Sequence, residues 1–212
     1  MTLETTLALL VFLFPLAYSP GPGNLFFAAN GARFGMRATI PATAGYHIAT
    51  ALVTLLIGSS ALLAQAVSQE AFRWLTLAGA AYVLWLAWGM WGADGAASGA
   101  QARPARFGDG VVLLLLNPKA YVIIAVMFSQ FLAPADPART ADDAASLLFS
   151  VQLGLVMIIT LIFTLNNLVA FSIWTWIGEG LARWIFRDDR ARKMNRGFAL
   201  LLAAVGLWML LI

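Results

Sequence analysis

Two prolines and two glycines interrupt the first long apolar run of the chain, in the stretch SPGPGN at 19–24. Proline removes a backbone donor and clashes with the preceding turn, and glycine adds backbone freedom, so a helix cannot continue through this segment. The helix that resumes after the break exposes unpaired N–H groups at the positive end of its dipole, which favours an anion. The sequence therefore predicts a site for a negatively charged group, formed by Pro20, Gly21, Pro22, Gly23 and Asn24.

A second interruption, LLLLNPKAYVII, falls in the fourth apolar run. Its Pro118 is flanked by Asn117 and Lys119 and lies 96 residues after Pro22. Each break is therefore in the first span of a three-span half, and because three is an odd number, the two halves would insert in opposite directions. Interrupted helices at matching positions of inverted halves indicate a transporter site near the bilayer midplane. The alternative is that proline and glycine only kink these two helices.

Four polar residues within the predicted spans are further candidates. Lys119 can neutralise a substrate carboxylate, or it can reach the membrane interface or bind backbone carbonyls freed by Pro118. His47 is the single histidine of the chain, and it is a candidate for proton coupling or a hydrogen-bonded packing residue. Asn166 and Asn167 lie in the middle of the fifth span, where they line a path or bond a neighbouring helix.

The elements that must position these residues are membrane helices. The chain has 212 residues, of which 61% are hydrophobic and 11% charged, whereas soluble domains carry about 25% charged residues. The apolar runs lack polar alternation and reach the ~20 residues that a spanning helix needs. We predict an all-α integral membrane protein with six transmembrane helices, at about 3–32 with the first break inside, 38–64, 71–91, 107–132 with the second break, 146–177 and 195–212.

The predicted organisation is one transmembrane domain, 1–212, made of two inverted three-helix repeats. The first repeat covers about 1–91, the Gly/Ala-rich linker 92–106, and the second repeat about 107–212. Loops after the odd-numbered spans hold ten Lys and Arg residues, and the other loops hold two. The positive-inside rule then places both termini outside the cytoplasm. Most tryptophans, including Trp174, fall near predicted span ends and fit an interfacial belt.

Several function classes have little support in the sequence. The chain has no cysteine, which excludes thiolate metal sites and cysteine nucleophiles. No Asp or Glu lies deep in a predicted span, so we expect no metal site, no cofactor and no intramembrane enzyme. The basic residues lie in short loops, which argues against nucleic acid as a partner despite a pI of about 9.7. The lipid bilayer is the predicted environment, and small-residue helix faces allow a homodimer without requiring one.

The chain resembles the LysE/RhtB family of bacterial amino-acid exporters over nearly its whole length. The motifs that carry the resemblance are SPGPGN at 19–24, NGARFG at 30–35, LAGAAYVLWLAWGMW at 77–91, LLNPKAYVIIAVMFSQFL at 115–132 and MNRGFALLLAAVGLWML at 194–210. The resemblance implies a multi-pass inner-membrane protein that exports amino acids or close derivatives, driven by the proton-motive force. Its interrupted helices carry over as Pro20, Gly21, Pro22, Asn117, Pro118 and Lys119. One departure is Gly23, which separates the Pro-Gly-Pro element from Asn24.

Three interpretations follow. The first is a secondary exporter of a small zwitterionic or cationic amino acid, with its carboxylate at the two half-helix ends. The second is a non-transport membrane protein, either an enzyme or a structural or assembly partner. The third is an exporter of another small solute or ion, for which Asp109 is the nearest carboxylate to the second break.

Overall fold

The computed structural model is all-helical and describes residues 1–62, 69–91, 103–132, 142–185 and 189–210. Within these residues the chain forms seven helices. In order, they are α1 (Leu3–Tyr18), α2 (Pro22–Leu62), α3 (Gln69–Trp91), α4 (Phe107–Leu115), α5 (Pro118–Phe131), α6 (Asp142–Ile185) and α7 (Asp189–Leu210). Most of the predicted linker, residues 92–102, lies outside the described residues.

Both predicted helix breaks are confirmed. α1 ends at Tyr18 and α2 begins at Pro22, while α4 ends at Leu115 and α5 begins at Pro118. The second break bends the chain by 63°. Each half-helix resumes on a proline, whose fixed φ suits the first helical position and whose missing N–H would have had no partner there.

The chain turns back at the predicted boundary between the first two spans, 33–37, since the Asn30 side chain donates to the Thr39 hydroxyl at 2.8 Å. α2 runs from 22 to 62, and inside it only Gly35 leaves helical geometry, with φ 82° and ψ 169°. That conformation is open to glycine and strained for other residues. Beyond it, the Met36 N–H donates to the Glu179 carboxylate of α6 at 3.0 Å, so a distant side chain caps the new segment. We call 22–34 the first part and 36–62 the second part of α2.

By length and composition alone, two helical stretches are sufficient to cross a membrane, Ser150–Ala182 and Pro22–Ser59, and the second of these turns back at Gly35. The bent pair α4 and α5 makes a third if it is one span. Three shorter apolar stretches are Leu3–Tyr18, Leu77–Gly89 and Arg196–Leu207. The fifth predicted helix is longer than expected at both ends, since α6 covers 142–185 rather than 146–177.

Glycines bring the helices that surround the breaks into close contact. A Cβ on Gly45 of α2 would collide with the Phe107 carbonyl of α4, and one on Gly110 would collide with the Ala42 carbonyl. On the first part of α2, a Cβ on Gly31 would collide with the Thr175 carbonyl of α6. Backbones that touch in this way leave little freedom of position. The two breaks are therefore held in a fixed relation by α2 and α6.

Candidate functional site

Side chains from elsewhere bind the carbonyls that α1 leaves free at the first break. The Asn24 side-chain amide donates to the Ala17 carbonyl at 2.9 Å, and it is buried. The Trp174 indole of α6 donates to the Tyr18 carbonyl at 3.2 Å. Helix ends without such partners are costly in an apolar environment. Trp174 therefore contributes to the break, a role that its sequence position did not predict.

Lys119 connects the two breaks directly. Its ammonium donates to the Ser19 carbonyl at 3.1 Å and to the Ser19 hydroxyl at 2.9 Å, across 100 residues of sequence. A Cβ on Gly21 would lie 3.1 Å from the same Nζ, so the glycine makes room for the lysine. The charge rests at the carbonyl end of α1, where the helix dipole is negative. An ammonium has three protons, and these two bonds leave one for another acceptor.

The contacts of Lys119 can be compared with the alternatives that the sequence suggested for it. Lys119 binds a backbone carbonyl that a helix break leaves free, as one of these alternatives predicted. This carbonyl belongs to Ser19 at the first break and not to the turn around Pro118. Because the contact spans the breaks, any small anion between them would lie within reach of the ammonium.

Asn117 reaches across the second break instead of capping its own helix. Its Nδ2 donates to the Tyr46 hydroxyl at 3.0 Å, and the pair is buried. Its Oδ1 is also buried and has no hydrogen-bond partner within the described residues. A buried amide oxygen without a donor is unusual. This oxygen is a candidate acceptor for a bound solute.

Aromatic rings form a wall beside the breaks. The Tyr46 and Phe171 rings lie 4.6 Å apart, and Phe27 packs edge-on against both, at 5.7 Å and 5.1 Å. A Cβ on Gly23 would lie 2.8 Å from the Phe171 ring and 3.4 Å from the Tyr46 hydroxyl. The glycine inserted before Asn24 therefore fits beneath this wall, where a side chain would not.

His47 and Asn167 extend the same cluster. The His47 Nδ1 lies 2.7 Å from the Thr43 carbonyl, which requires a proton on Nδ1. Its Nε2 is buried and lies near the Asn167 backbone, without a hydrogen bond of good geometry. Asn167 is buried and lies near both Tyr46 and His47. Asn166 is half-buried, with its Nδ2 unpartnered in the same described set.

The structure thus brings most of the predicted site residues together, and it adds others. Gly21, Gly23, Asn24, Asn117 and Lys119 meet around the breaks, and Pro22 and Pro118 start the resumed helices. Pro20 instead lines an apolar groove with Trp174. Sequence analysis did not predict Ser19, Tyr46 or Phe171 as site residues. A tyrosine in the middle of a span, next to a histidine, was a signal for Tyr46.

A groove of about 420 Å³ lies on the side of the basic loops, where aromatic rings line it together with Asn30, Arg33, Arg103 and Asp109. Arg103 and Asp109 pair at 2.7 Å within it, and the hydrogen bond that the Arg103 guanidinium donates to the Asp109 carboxylate raises the pKa of Arg103. Asp109 also accepts the Arg106 N–H at the start of α4, at 2.7 Å. The carboxylate considered for an ion path is therefore engaged in an ion pair and a helix cap.

Comparison with known proteins places these features in a family. The model of the LysE type translocator family matches residues 14–211. The chain is 27% identical over 211 residues to the homoserine/homoserine lactone efflux protein of Salmonella typhimurium, covering 97% of this chain and 96% of that protein. It is 27% identical over 186 residues to the cysteine/O-acetylserine efflux protein of Escherichia coli, covering 88% and 87%. No solved structure matches the chain. These matches confirm the resemblance drawn from the sequence motifs.

Proposed function

The chain belongs to the LysE type translocator family, and from that premise we propose that it exports small amino acids or close derivatives across the bacterial inner membrane. Members of this family are membrane transporters, which leaves the enzyme and assembly-partner alternatives without support. The observation that carries the proposal is the contact between Lys119 and Ser19, because it joins two helix breaks that are far apart in sequence.

The proposed site lies between the two resumed half-helices. The free N–H groups at the starts of α2 and α5 and the third ammonium proton of Lys119 all favour an oxygen that carries negative charge. The amide oxygen of Asn117 and the hydroxyl of Tyr46 are acceptors for an ammonium group. The proposed binding residues are Gly21, Pro22, Gly23, Asn24, Asn117, Pro118, Lys119, Asn166 and Asn167, with Tyr46 added. Pro20, which the sequence also suggested, faces the separate apolar groove and is not among them.

The relatives' names suggest the class of substrate. Homoserine, its lactone, cysteine and O-acetylserine share an α-amino group beside a carboxyl or ester carbonyl, and their side chains are short and uncharged at neutral pH. In this chain no Asp or Glu lies in the middle of a span to pair with a cationic side chain. We therefore favour a small neutral amino acid over a dibasic one.

Helix pairing supports the inverted repeat. The first span (α1 with the first part of α2) packs on the fifth (α6) through Gly31 and Thr175, and the second packs on the fourth through Gly45 and Phe107. The third (α3) packs on the sixth (α7). A two-fold axis that exchanges spans one to three with four to six would reproduce these pairs. Rocking of one repeat against the other would then give alternating access, with the termini outside and the basic loops in the cytoplasm.

His47 is the proposed proton-coupling residue. Its ring contacts the Tyr46 and Phe171 rings at 5.3 Å and 5.5 Å, so it borders the site. With Nδ1–H fixed on the Thr43 carbonyl, Nε2 is the atom that gains or loses the second proton. Coupling through this residue and assembly as a homodimer both stay predictions.

We expect inside-out membrane vesicles that contain the protein to accumulate at least one labelled small neutral amino acid. Imposing a proton gradient should increase the uptake, and dissipating it with an ionophore should abolish the increase. Vesicles without the protein are the control. Uptake equal to that control for every member of a broad amino-acid panel would contradict the proposed function.

A further inference from the structure

A row of polar side chains runs between the second part of α2 and α6, starting at His47 and Asn167 in the site and continuing away from it. We call it the polar seam, and it consists of His47, Thr50 and Thr54 on α2 and Thr160, Thr164 and Asn167 on α6. Five of the six are buried, with Thr54 and Thr50 at 0% exposure and Thr160 at 4%. On each helix the members lie three or four residues apart, and therefore on one face.

Contacts along the two helices fix how the two rows face each other. Met36 bonds Glu179 near one end, the Tyr46 and Phe171 rings pack at 4.6 Å in the middle, and a Cβ on Gly58 would lie 2.6 Å from a Val156 methyl near the other end. The helices are thus antiparallel, with each step forward on α2 matched by a step back on α6. Thr54 consequently lies level with the segment 160–164.

The seam holds polar atoms that its own helices leave unsatisfied. A helical threonine usually donates to the carbonyl four residues earlier, as Thr50 does to Tyr46 at 2.8 Å. The hydroxyls of Thr54, Thr160 and Thr164 have no such bond and no other partner in the described part of the chain. If these residues served only to hold α2 and α6 together, we would expect their hydroxyls to form hydrogen bonds from one helix to the other.

Resting on the proposed function, we infer that the polar seam is the outer half of the export route. It starts at the aromatic wall of the site and leads away from the basic loops, toward the end of α2. The groove lined by Arg33 and the Arg103–Asp109 pair lies on the opposite side of the site. When the seam opens, its hydroxyls and His47 Nε2 would replace part of the hydration of a zwitterion as it leaves.

The native chain has no cysteine, so single cysteines report on the seam without any background substitution. We expect Thr54→Cys and Thr160→Cys to react from outside with a charged, water-soluble thiosulfonate while the protein exports its substrate. Matched controls are Leu52→Cys and Leu161→Cys, one on each helix, at residues that are 63% and 58% exposed on the outer surface of the helix bundle. A thiol reacts as its thiolate, which lipid disfavours, so the seam cysteines should react at least ~10-fold faster.

A second experiment needs no reagent, because it changes the side chain of Thr54 and measures export. Thr54→Val keeps the shape and removes the hydroxyl, and we expect it to lower the export rate by ~5–10-fold because a desolvated group loses one hydrogen bond. Thr54→Ser restores the hydroxyl and should restore export.

Seam cysteines that react no faster than the controls, in a protein that still exports, would overturn the inference. So would a Thr54→Val variant that exports at the wild-type rate. A failure of the proposed function looks different, since the unmodified chain would then export no amino acid at all.

Discussion

Replacing Lys119 with alanine is expected to abolish export while the protein still accumulates in the membrane. The substitution removes the ammonium that binds the Ser19 carbonyl and hydroxyl and that faces the proposed anion site. Charge-assisted hydrogen bonds contribute ~1.5–3 kcal/mol each, and each ~1.4 kcal/mol is a tenfold change. We therefore expect export of the substrate from loaded cells to fall by ~100-fold or more.

Lys193→Ala is the matched control, because Lys193 is the other lysine of the chain and is exposed at the start of α7. It should export at close to the wild-type rate. Lys119→Arg keeps the positive charge and changes the shape of the side chain, since a guanidinium is wider than an ammonium and places its donors differently. We expect the Lys119→Arg variant to fold and to export poorly. Normal export by Lys119→Ala would remove this residue from the mechanism.

Replacing Gly110 with alanine is expected to be severely destabilising. The new methyl group would collide with the Ala42 carbonyl and would lie 2.8 Å from the Tyr46 backbone nitrogen. Overpacking a core costs ~1–3 kcal/mol when side chains can adjust, and here the obstacle is backbone. We expect the melting temperature in detergent to fall by at least ~5–10 °C, or the folded protein to fail to accumulate.

Gly108→Ala is the control for this substitution, on the same helix two residues earlier. A Cβ there would meet nothing within 4 Å, and alanine favours helix over glycine by ~1 kcal/mol. The Gly108 variant should melt at or above the wild-type temperature. Equal melting temperatures for the two alanine variants would contradict the close α2–α4 packing.

The helix breaks could be predicted from sequence because their cause is local. Pro22 and Pro118 cannot lie inside a continuous helix, and both start a resumed helix in the structure. Lys119 was a candidate because a charge within a span needs a partner. The identity of that partner could not be predicted, since Ser19 is 100 residues away and its free carbonyl results from the other break.

Tertiary contacts explain what sequence analysis missed. The predicted spans 3–32 and 38–64 leave 33–37 as the connection between them, and the chain turns back there. Sequence analysis could not show that Gly35 alone makes this turn, because the cap on the helix that follows comes from Glu179 of α6. Trp174 had the sequence environment of an interfacial residue, and only the position of the Tyr18 carbonyl makes it a hydrogen-bond donor to the break.

The central claim is that the two half-helix ends and Lys119 bind the carboxylate of an amino acid, or the corresponding carbonyl of a derivative. It is tested most directly by the melting temperature of the purified protein with the transported amino acid and, separately, with the decarboxylated amine of the same side chain. At 100 times its Kd a ligand stabilises by ~2.7 kcal/mol. We expect the amino acid alone to raise the melting temperature, and Lys119→Ala to lose that response while Lys193→Ala keeps it. Equal stabilisation by the amine, or an undiminished response in Lys119→Ala, would contradict the account.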